Sequence, residues 1–191
     1  MLRTLRNIIP LFAVVVIGFV VFGYRQHAHT EELPRLIPVP DFVLQDTSAS
    51  EFRFSSSDGK VRILNFFFTS CPHICPQING HLKEVSEALK GESDLLFLSI
   101  TVDPEKDTPD HLAEYSKKYR ESAQQWKFLS GDIGIVEKLM TESLKLGSEE
   151  LPESHNTRIV LADRKGMVRG YYQGLDEEAI RNLIRDAKDL L

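Results

Sequence analysis

The two cysteines of this chain, Cys71 and Cys75, are the residues best suited to carry chemistry. They lie in the segment Phe-Phe-Phe-Thr-Ser-Cys-Pro-His-Ile-Cys-Pro at positions 66–76. On a helical turn, side chains four positions apart face the same way, with Cβ atoms about 5 to 6 Å apart. The pair can therefore close a disulfide after a small adjustment, or bind one metal ion through two thiolates.

A structural disulfide, or a pair of buried thiols, is the simplest alternative for Cys71 and Cys75. A bridge across so short a loop removes little chain entropy, which favours a redox or metal-binding role instead. Pro72 and Pro76 cannot donate a backbone hydrogen bond and fix their own φ, so they stiffen this loop. Two cysteines are also too few for a disulfide scaffold.

The cysteines are predicted to lie at a turn from a strand to a helix. Residues 61–68 have the composition of a strand buried on both faces, and residues 77–90 have apolar side chains at helical spacing. The start of a helix carries unpaired N–H groups and a partial positive charge, which favour thiolate over thiol. Nucleophilic attack and metal binding both require that thiolate.

The rest of the chain predicts an α/β fold. A second buried strand at 95–102 follows the helix, and the order strand, helix, strand requires a parallel crossover. The other predicted elements are strands at 41–44, 52–54 and 126–129, helices from Thr108 to about Tyr119 and from Gly131 to about Leu144, an antiparallel hairpin of 157–161 with 168–172, and a last helix capped by Asp176.

The segment Asp-Pro-Glu-Lys-Asp-Thr-Pro at 103–109 follows the second buried strand. In open α/β sheets, ligands bind at this edge. Thr108 can cap a helix that Pro109 opens, which gives Asp107 and Thr108 a structural reason to be there. Asp103 leaves the strand on the same edge as the cysteines. We expect Asp103 either to support a metal ligand from behind or to cap the loop.

Composition limits the classes of function. A net charge of -5 and a pI near 5.7 argue against nucleic acid as a partner, and no basic, aromatic-rich patch contradicts this. After the apolar amino terminus about 165 residues remain, which is enough for one domain.

The amino terminus has the features of a membrane anchor. Residues 8–24 are uncharged and almost wholly apolar, and Arg3 and Arg6 precede them. Positive charge ahead of a span keeps the amino end in the cytoplasm, so the domain is expected on the extracytoplasmic side. A cleaved signal peptide is the alternative, although Gln26-His27-Ala28 lacks a small residue at the -3 position. No transit peptide precedes the span, which indicates a bacterial inner membrane.

These features predict three regions. Residues 1–25 are a single transmembrane helix, residues 26–40 are a linker stiffened by Pro34, Pro38 and Pro40, and residues 41–191 are the folded domain.

The histidines differ in their predicted roles. His155 comes just before the strand at 157, where a polar side chain can project over the sheet edge and bind a metal. A lone histidine is more often structural. His73 can bind a metal beside the cysteines or face solvent. The other four are expected to be solvated in the linker (His27 and His29) or on helix surfaces (His81 and His111).

Three features together resemble the Sco/SenC family of membrane-anchored copper proteins: the segment at 67–76, the segment at 103–109, and His155 ahead of a strand. The likeness extends from about Pro40 to the end of the chain. It implies a thioredoxin-like fold with a central mixed sheet flanked by helices. His73 stands where the family often has an acidic residue, and Ser154 stands where an aspartate is common.

The resemblance also implies that Cys71, Cys75 and His155 bind Cu(I) or Cu(II). Soft thiolates favour Cu(I), and an imidazole adds tolerance of Cu(II). The implied role is delivery of copper to the dinuclear copper site of cytochrome c oxidase, or reduction of the cysteines of that site. The implied partner is the oxidase subunit that carries this site, or another copper protein.

Two classes of function are therefore expected. The first is a metallochaperone that passes copper on by ligand exchange. The second is a thiol–disulfide oxidoreductase, or a thiol peroxidase, in which Cys71 attacks and Cys75 resolves. Zinc is a third possibility, since two sulfurs and one nitrogen leave a tetrahedral position open. The residues alone leave open whether the protein is an enzyme.

Overall fold

A mixed sheet of seven strands forms the centre of the folded unit. This computed structural model describes residues 32–120, 125–147 and 157–191. The strands are β1 (Val43–Asp46), β2 (Glu51–Arg53), β3 (Val61–Phe67), β4 (Leu95–Thr101), β5 (Trp126–Ser130), β6 (Arg158–Ala162) and β7 (Val168–Gln173). The helices are α1 (Ile74–Ala88), α2 (Pro109–Arg120), α3 (Ile133–Glu137) and α4 (Glu177–Leu190), with a 3₁₀ turn at Phe54–Ser57 and a π-helical turn at Lys138–Ser143.

The sheet order is β2-β1-β5-β4-β3-β6-β7. The strands β3, β4 and β5 are parallel, whereas β6 and β7 add antiparallel strands on one side and β1 and β2 on the other. All seven residues of β3 and all seven of β4 are buried, which explains why most of them are apolar. The polar exceptions are Arg62, Asn65, Ser99 and Thr101. The predicted parallel crossover and the predicted hairpin are both confirmed.

The register of β3 on β4 positions the site. Phe67 at the end of β3 pairs with Thr101 at the end of β4, and the N–H of Val102 donates to the carbonyl of Phe67 at 2.8 Å. The carboxyl ends of the two strands therefore meet at one edge of the sheet. The loop that follows β3 contains the cysteines, and the loop that follows β4 contains the aspartates.

The two faces of β3 pack into different layers, because successive side chains of a strand point to opposite faces. Leu64 and Phe66 belong to the main apolar cluster. Phe67 faces an aromatic layer instead, in which its ring lies 5.4 Å from that of Tyr115 and 5.6 Å from that of Phe128. Tyr115 belongs to α2, so this layer fastens that helix to the sheet.

A buried polar network fastens α1 to the sheet. Asn65 of β3 donates to Asn79 of α1 at 3.2 Å, and Asn79 donates to the hydroxyl of Tyr115 at 3.0 Å. Ser99 donates to Asn65 at 2.6 Å and accepts from the indole N–H of Trp126 at 2.8 Å. Satisfied buried networks of this kind fix one arrangement of the elements that they join. The helix that carries Cys75 is thereby held in register with the sheet.

The predicted helix from Gly131 to Leu144 is interrupted. The helix α3 ends at Glu137 and continues as the π-helical turn, after which Lys145 takes a positive φ of 54°. Leu144 and Leu146 are both buried, and a spacing of two residues does not suit one face of an α-helix. Burial of both leucines accounts for the departure from helical geometry.

Part of the predicted linker belongs to the folded unit, which runs from Pro34 to Leu191. Leu36 donates to the carbonyl of Val168 at 2.9 Å, and Val39 donates to that of Gly166 at 2.8 Å. The prolines of this segment are compatible with such a position because an edge strand need not donate from every residue. Residues 36–39 of the linker predicted at 26–40 therefore pair with residues 166–168, at the start of β7.

No helix among the described residues is both long enough and apolar enough to span a bilayer. The anchor predicted at 1–25 lies outside those residues.

Alanine substitutions at Gly174 and Gly80 are expected to change the free energy of unfolding in opposite directions. A Cβ on Gly174 would lie 2.7 Å from the carbonyl oxygen of Thr157 and 3.0 Å from Ile78 of α1, whereas one on Gly80 would meet nothing within 4 Å. We expect Gly174→Ala to lower the free energy of unfolding by about 1 to 3 kcal/mol. Gly80→Ala, in the interior of α1, should raise it by about 0.5 to 1 kcal/mol. Urea denaturation measures both, and a neutral Gly174→Ala would contradict the close contact.

Candidate functional site

Cys71 and Cys75 lie at the turn from β3 into α1, as predicted. Cys75 is in the first turn of α1, because the helix begins at Ile74 rather than at Gln77. Both are reduced in this structure. The N–H of Cys75 points at the sulfur of Cys71, with 3.4 Å between nitrogen and Sγ. Cys71 is 8% exposed and Cys75 is 1% exposed, so Cys71 is the sulfur nearer to solvent.

The two thiols differ in acidity. Burial raises the pKa of Cys71, but the backbone N–H groups of Cys75, His73 and Ile74 outweigh burial and leave the pKa below its ordinary value. These N–H groups belong to the start of α1, where no earlier carbonyl is available to accept from them. Burial raises the pKa of Cys75 to about 12, and the charges of Cys71 and Asp107 add to that rise.

Asp107 connects the loop of the cysteines to the end of β4. Its side chain is fully buried. It accepts from the backbone N–H of Thr69 at 3.0 Å, from the hydroxyl of Thr69, and from the hydroxyl of Thr101. Thr69 precedes Cys71 by two residues, so this carboxylate fixes the backbone that leads to the first sulfur. Hydrogen bonds of this kind offset the cost of burying a charge.

Asp103, the residue predicted to support the site, is less buried than Asp107, with 11% of its side chain exposed. Its carboxylate pairs with the ammonium of Lys106 at 2.9 Å, and its backbone N–H donates to the hydroxyl of Thr101 at 3.1 Å. Its supporting role stays a prediction. Asp107 is the acidic residue that the structure brings to the cysteine loop, and sequence reasoning had assigned it to helix capping alone. Its position four residues after Asp103, in a loop at the same sheet edge, was the available signal.

The third predicted metal ligand, His155, lies outside the described residues. Among residues 32–120, 125–147 and 157–191, no three His, Cys, Asp or Glu side chains form a group that could hold a metal ion. His73 is exposed and immediately precedes α1, without capping it through its side chain. His27 and His29 also lie outside the described part of the chain. His111 is exposed on α2, as predicted, whereas His81 is partly buried, with Nδ1 at 2.8 Å from the carbonyl of Gly174.

The fold and the paired cysteines define a thioredoxin-like domain, and comparison with known proteins gives its family. The family model for SCO1/SenC matches residues 31–191. A SCO1 protein homolog of Bacillus subtilis is 29% identical over 157 residues, which cover 78% of this chain and 81% of the relative. This chain belongs to the SCO1/SenC family.

Solved structures of this family have the same architecture. The structure of BsSco, described as a member of the Sco family of cytochrome c oxidase assembly proteins with a disulfide switch, matches with a TM-score of 0.73 at 29% identity, covering 82% of this chain and 95% of that one. Bradyrhizobium japonicum ScoI with copper bound matches with a TM-score of 0.67 at 27% identity, covering 82% of this chain and all of that one (100%). The expected mixed sheet flanked by helices is confirmed.

Removal of the Asp107 carboxylate should destabilise the domain. Asp107→Ala leaves the partly buried N–H of Thr69 and the buried hydroxyl of Thr101 without their acceptor, and we expect a loss of about 3 kcal/mol in the free energy of unfolding. Asp107→Asn keeps an acceptor of the same shape, so it should cost about 1 kcal/mol while the loss of charge lowers the pKa of Cys75. Denaturation and thiol titration measure these effects.

The matched control is Asp110→Ala, which removes an exposed carboxylate from the first turn of α2. Its effect should stay within about 0.5 kcal/mol. Equal losses at positions 107 and 110 would contradict the role assigned to Asp107.

Proposed function

We propose that this protein is a copper chaperone that binds Cu(I) or Cu(II) through Cys71, Cys75 and His155. The observation that carries the proposal is the pair of cysteines at the start of α1, with sulfurs that differ in exposure and acidity, in a chain of the SCO1/SenC family. Two thiolates are soft ligands and favour Cu(I) over harder divalent ions. The structure of Bradyrhizobium japonicum ScoI with copper bound supports the choice of copper.

The chemistry of the two thiols supports transfer by ligand exchange. Cys71 loses its proton more readily than an ordinary thiol, because the N–H groups at the start of α1 lower its pKa. Cys75 must lose a proton before it binds, because its pKa is raised to about 12. Binding of copper by both sulfurs therefore releases a proton, and affinity should rise with pH. An acceptor would meet the more exposed sulfur first.

His155 is proposed as the third ligand because the described chain resumes at Thr157, close to α1. Gly174 lies against both the carbonyl of Thr157 and the side chain of Ile78. Ile78 is one helical turn beyond Cys75, a rise of about 4.5 Å along α1. His155 precedes Thr157 by two residues, a length of chain that spans at most about 7 Å. This short separation along the chain from Thr157 supports the proposal.

The proposed acceptor is the dinuclear copper site of cytochrome c oxidase, or another copper protein. The support is the description of BsSco as a member of a family of cytochrome c oxidase assembly proteins. Delivery of copper and reduction of the cysteines of that site are both compatible with the pair Cys71 and Cys75.

A second candidate function is thiol–disulfide exchange without metal. The asymmetry of the two pKa values favours it, because a more exposed thiolate can attack while a buried thiol waits to resolve the mixed disulfide. Pure thiol exchange does not need His155, whereas a copper site with three ligands does.

The variant His155→Ala separates these functions. We expect it to weaken copper binding by more than about tenfold, since loss even of a group that only supports a metal ligand costs about 10- to 100-fold. The potential of the disulfide between Cys71 and Cys75 should change little. Titration of the reduced chain with Cu(I) against a competing chelator, beside Zn(II), measures affinity and metal preference.

The control for that experiment is His29→Gln, which removes an imidazole that precedes the folded unit beginning at Pro34. It should retain the affinity of the unmodified chain for copper. If His155→Ala binds copper as tightly as this control, the chaperone proposal with three ligands fails and thiol exchange becomes the better account.

We further propose that residues 1–25 anchor the chain in a bacterial inner membrane, with the domain on the extracytoplasmic side. The apolar run at 8–24 and the arginines at positions 3 and 6 support this orientation. Protease added to intact spheroplasts should then digest the domain while a cytoplasmic marker stays intact. Digestion only after lysis would place the domain in the cytoplasm and contradict the proposal.

A further inference from the structure

A cleft of about 330 Å³ lies between the loop that leads to Cys71 and one face of α2. Thr69 and Ser70 form the wall on the side of the cysteines, and the wall on α2 consists of His111, Glu114, Tyr115, Lys117 and Lys118. The volume falls at the lower end of the range of about 300 to 1,000 Å³ that is usual for small-molecule sites. Tyr115, which is 8% exposed, gives the cleft an apolar surface.

The cleft is positively charged, although the chain as a whole has a net charge of -5. Lys117 pairs with Glu114, so these two charges offset each other. The ammonium of Lys118 lies 5.5 Å from the ring centroid of Tyr115 and forms no ion pair within the described part of the chain. The lining therefore carries two ammonium groups against one carboxylate, a balance that favours a small anion over a small cation.

Two features connect the cleft with Cys71, which carries the sulfur proposed to react. Ser70, on its wall, directly precedes Cys71 in the chain. Asp107, beneath it, accepts from Thr69 and lies 3.8 Å from Nδ1 of His111. A ligand held in the cleft would thus contact Thr69 and Ser70, the residues that lead to Cys71.

We propose that this cleft binds the carboxylate of a small anionic disulfide, or of the thiol derived from it, and presents the sulfur of that molecule to Cys71. Lys118 attracts the carboxylate, the ring of Tyr115 contacts the apolar part, and Sγ of Cys71 is the reacting atom. The inference rests on the proposed function in one respect, which is that Cys71 is the reactive sulfur of the pair.

The proposed exchange is balanced in atoms and electrons. The thiolate of Cys71 attacks one sulfur of the small disulfide, so that a mixed disulfide forms and one small thiolate leaves. Cys75 then loses its proton and attacks Sγ of Cys71, which forms the disulfide of the protein and releases the second small thiolate. The two cysteines lose two electrons, the small disulfide gains them, and the thiol protons pass to the departing thiolates.

The test uses the reduced, copper-free full chain and three small disulfides. The disulfide of mercaptoacetic acid is a dianion, hydroxyethyl disulfide is neutral, and cystamine is a dication. Rates of disulfide formation are measured at low ionic strength by thiol trapping and mass spectrometry. The variants are Lys118→Gln and the double variant Lys117→Gln with Lys118→Gln. The matched control is Lys188→Gln, which removes an exposed lysine of α4 that does not line the cleft.

We expect the rate for the dianion to level off as its concentration rises, because a bound complex forms before exchange. The ratio of the dianion rate to the neutral rate should fall about three- to tenfold in Lys118→Gln, and the ratio for cystamine should rise. Both ratios should stay constant in Lys188→Gln. Intrinsic differences among the three disulfides cancel in these comparisons, and an unchanged rate with the neutral disulfide shows that a variant is folded.

A dianion rate that stays proportional to concentration would overturn the binding site. An unchanged ratio in Lys118→Gln, or an equal fall in Lys188→Gln, would also overturn it, because the effect would then be absent or due to overall charge. The assay contains no copper, so its failure leaves the copper proposal intact. Failure of copper binding would likewise leave this assay interpretable.

Discussion

The pairing of β3 with β4 is the constraint on which the rest of the site depends. These strands are parallel and end opposite each other, with Phe67 beside Thr101. Their following loops therefore share one edge of the sheet, and Asp107 joins them through hydrogen bonds from Thr69 and Thr101. A buried carboxylate without such partners would be costly, so the two loops stabilise each other's conformation.

The start of α1 makes the two sulfurs chemically unequal. Cys71 lies ahead of the helix and accepts from N–H groups that have no other acceptor, whereas Cys75 lies within the helix and is almost completely buried. The same spacing of four residues that brings the thiols together thus gives them opposite environments. In a family with a copper-bound member among its solved structures, this chain combines one thiol whose pKa is lowered with a second whose pKa is raised to about 12.

The sequence predicted the central strands well because their burial on both faces leaves mostly apolar runs, as in β3 and β4. The end of β3 then places Cys71 and Cys75 at the turn into a helix. The interruption after α3 could not be predicted, since only tertiary packing buries both Leu144 and Leu146. The pairing of residues 36–39 with residues 166–168 was missed because prolines indicate a linker as readily as an edge segment.

Asp103 and Asp107 show a second limit of prediction from the sequence. Both aspartates follow β4 in a loop where capping explains either one, and the sequence has no signal for which of them turns inward. The register of the strands decides, because it brings Thr69 and Thr101 within reach of one carboxylate. His155 illustrates the same limit, since a motif can indicate a ligand whose approach to the sulfurs depends on tertiary structure.

The buried network that holds α1 also ends on the single tryptophan of the chain, Trp126. Its indole N–H donates to Ser99, and its ring stacks on Phe128 with 5.5 Å between centroids. Emission from an indole depends on the polarity of its surroundings and on hydrogen bonding. The protein therefore contains its own optical reporter, placed where a shift of the cysteine-bearing helix would alter the fluorescence without any added label.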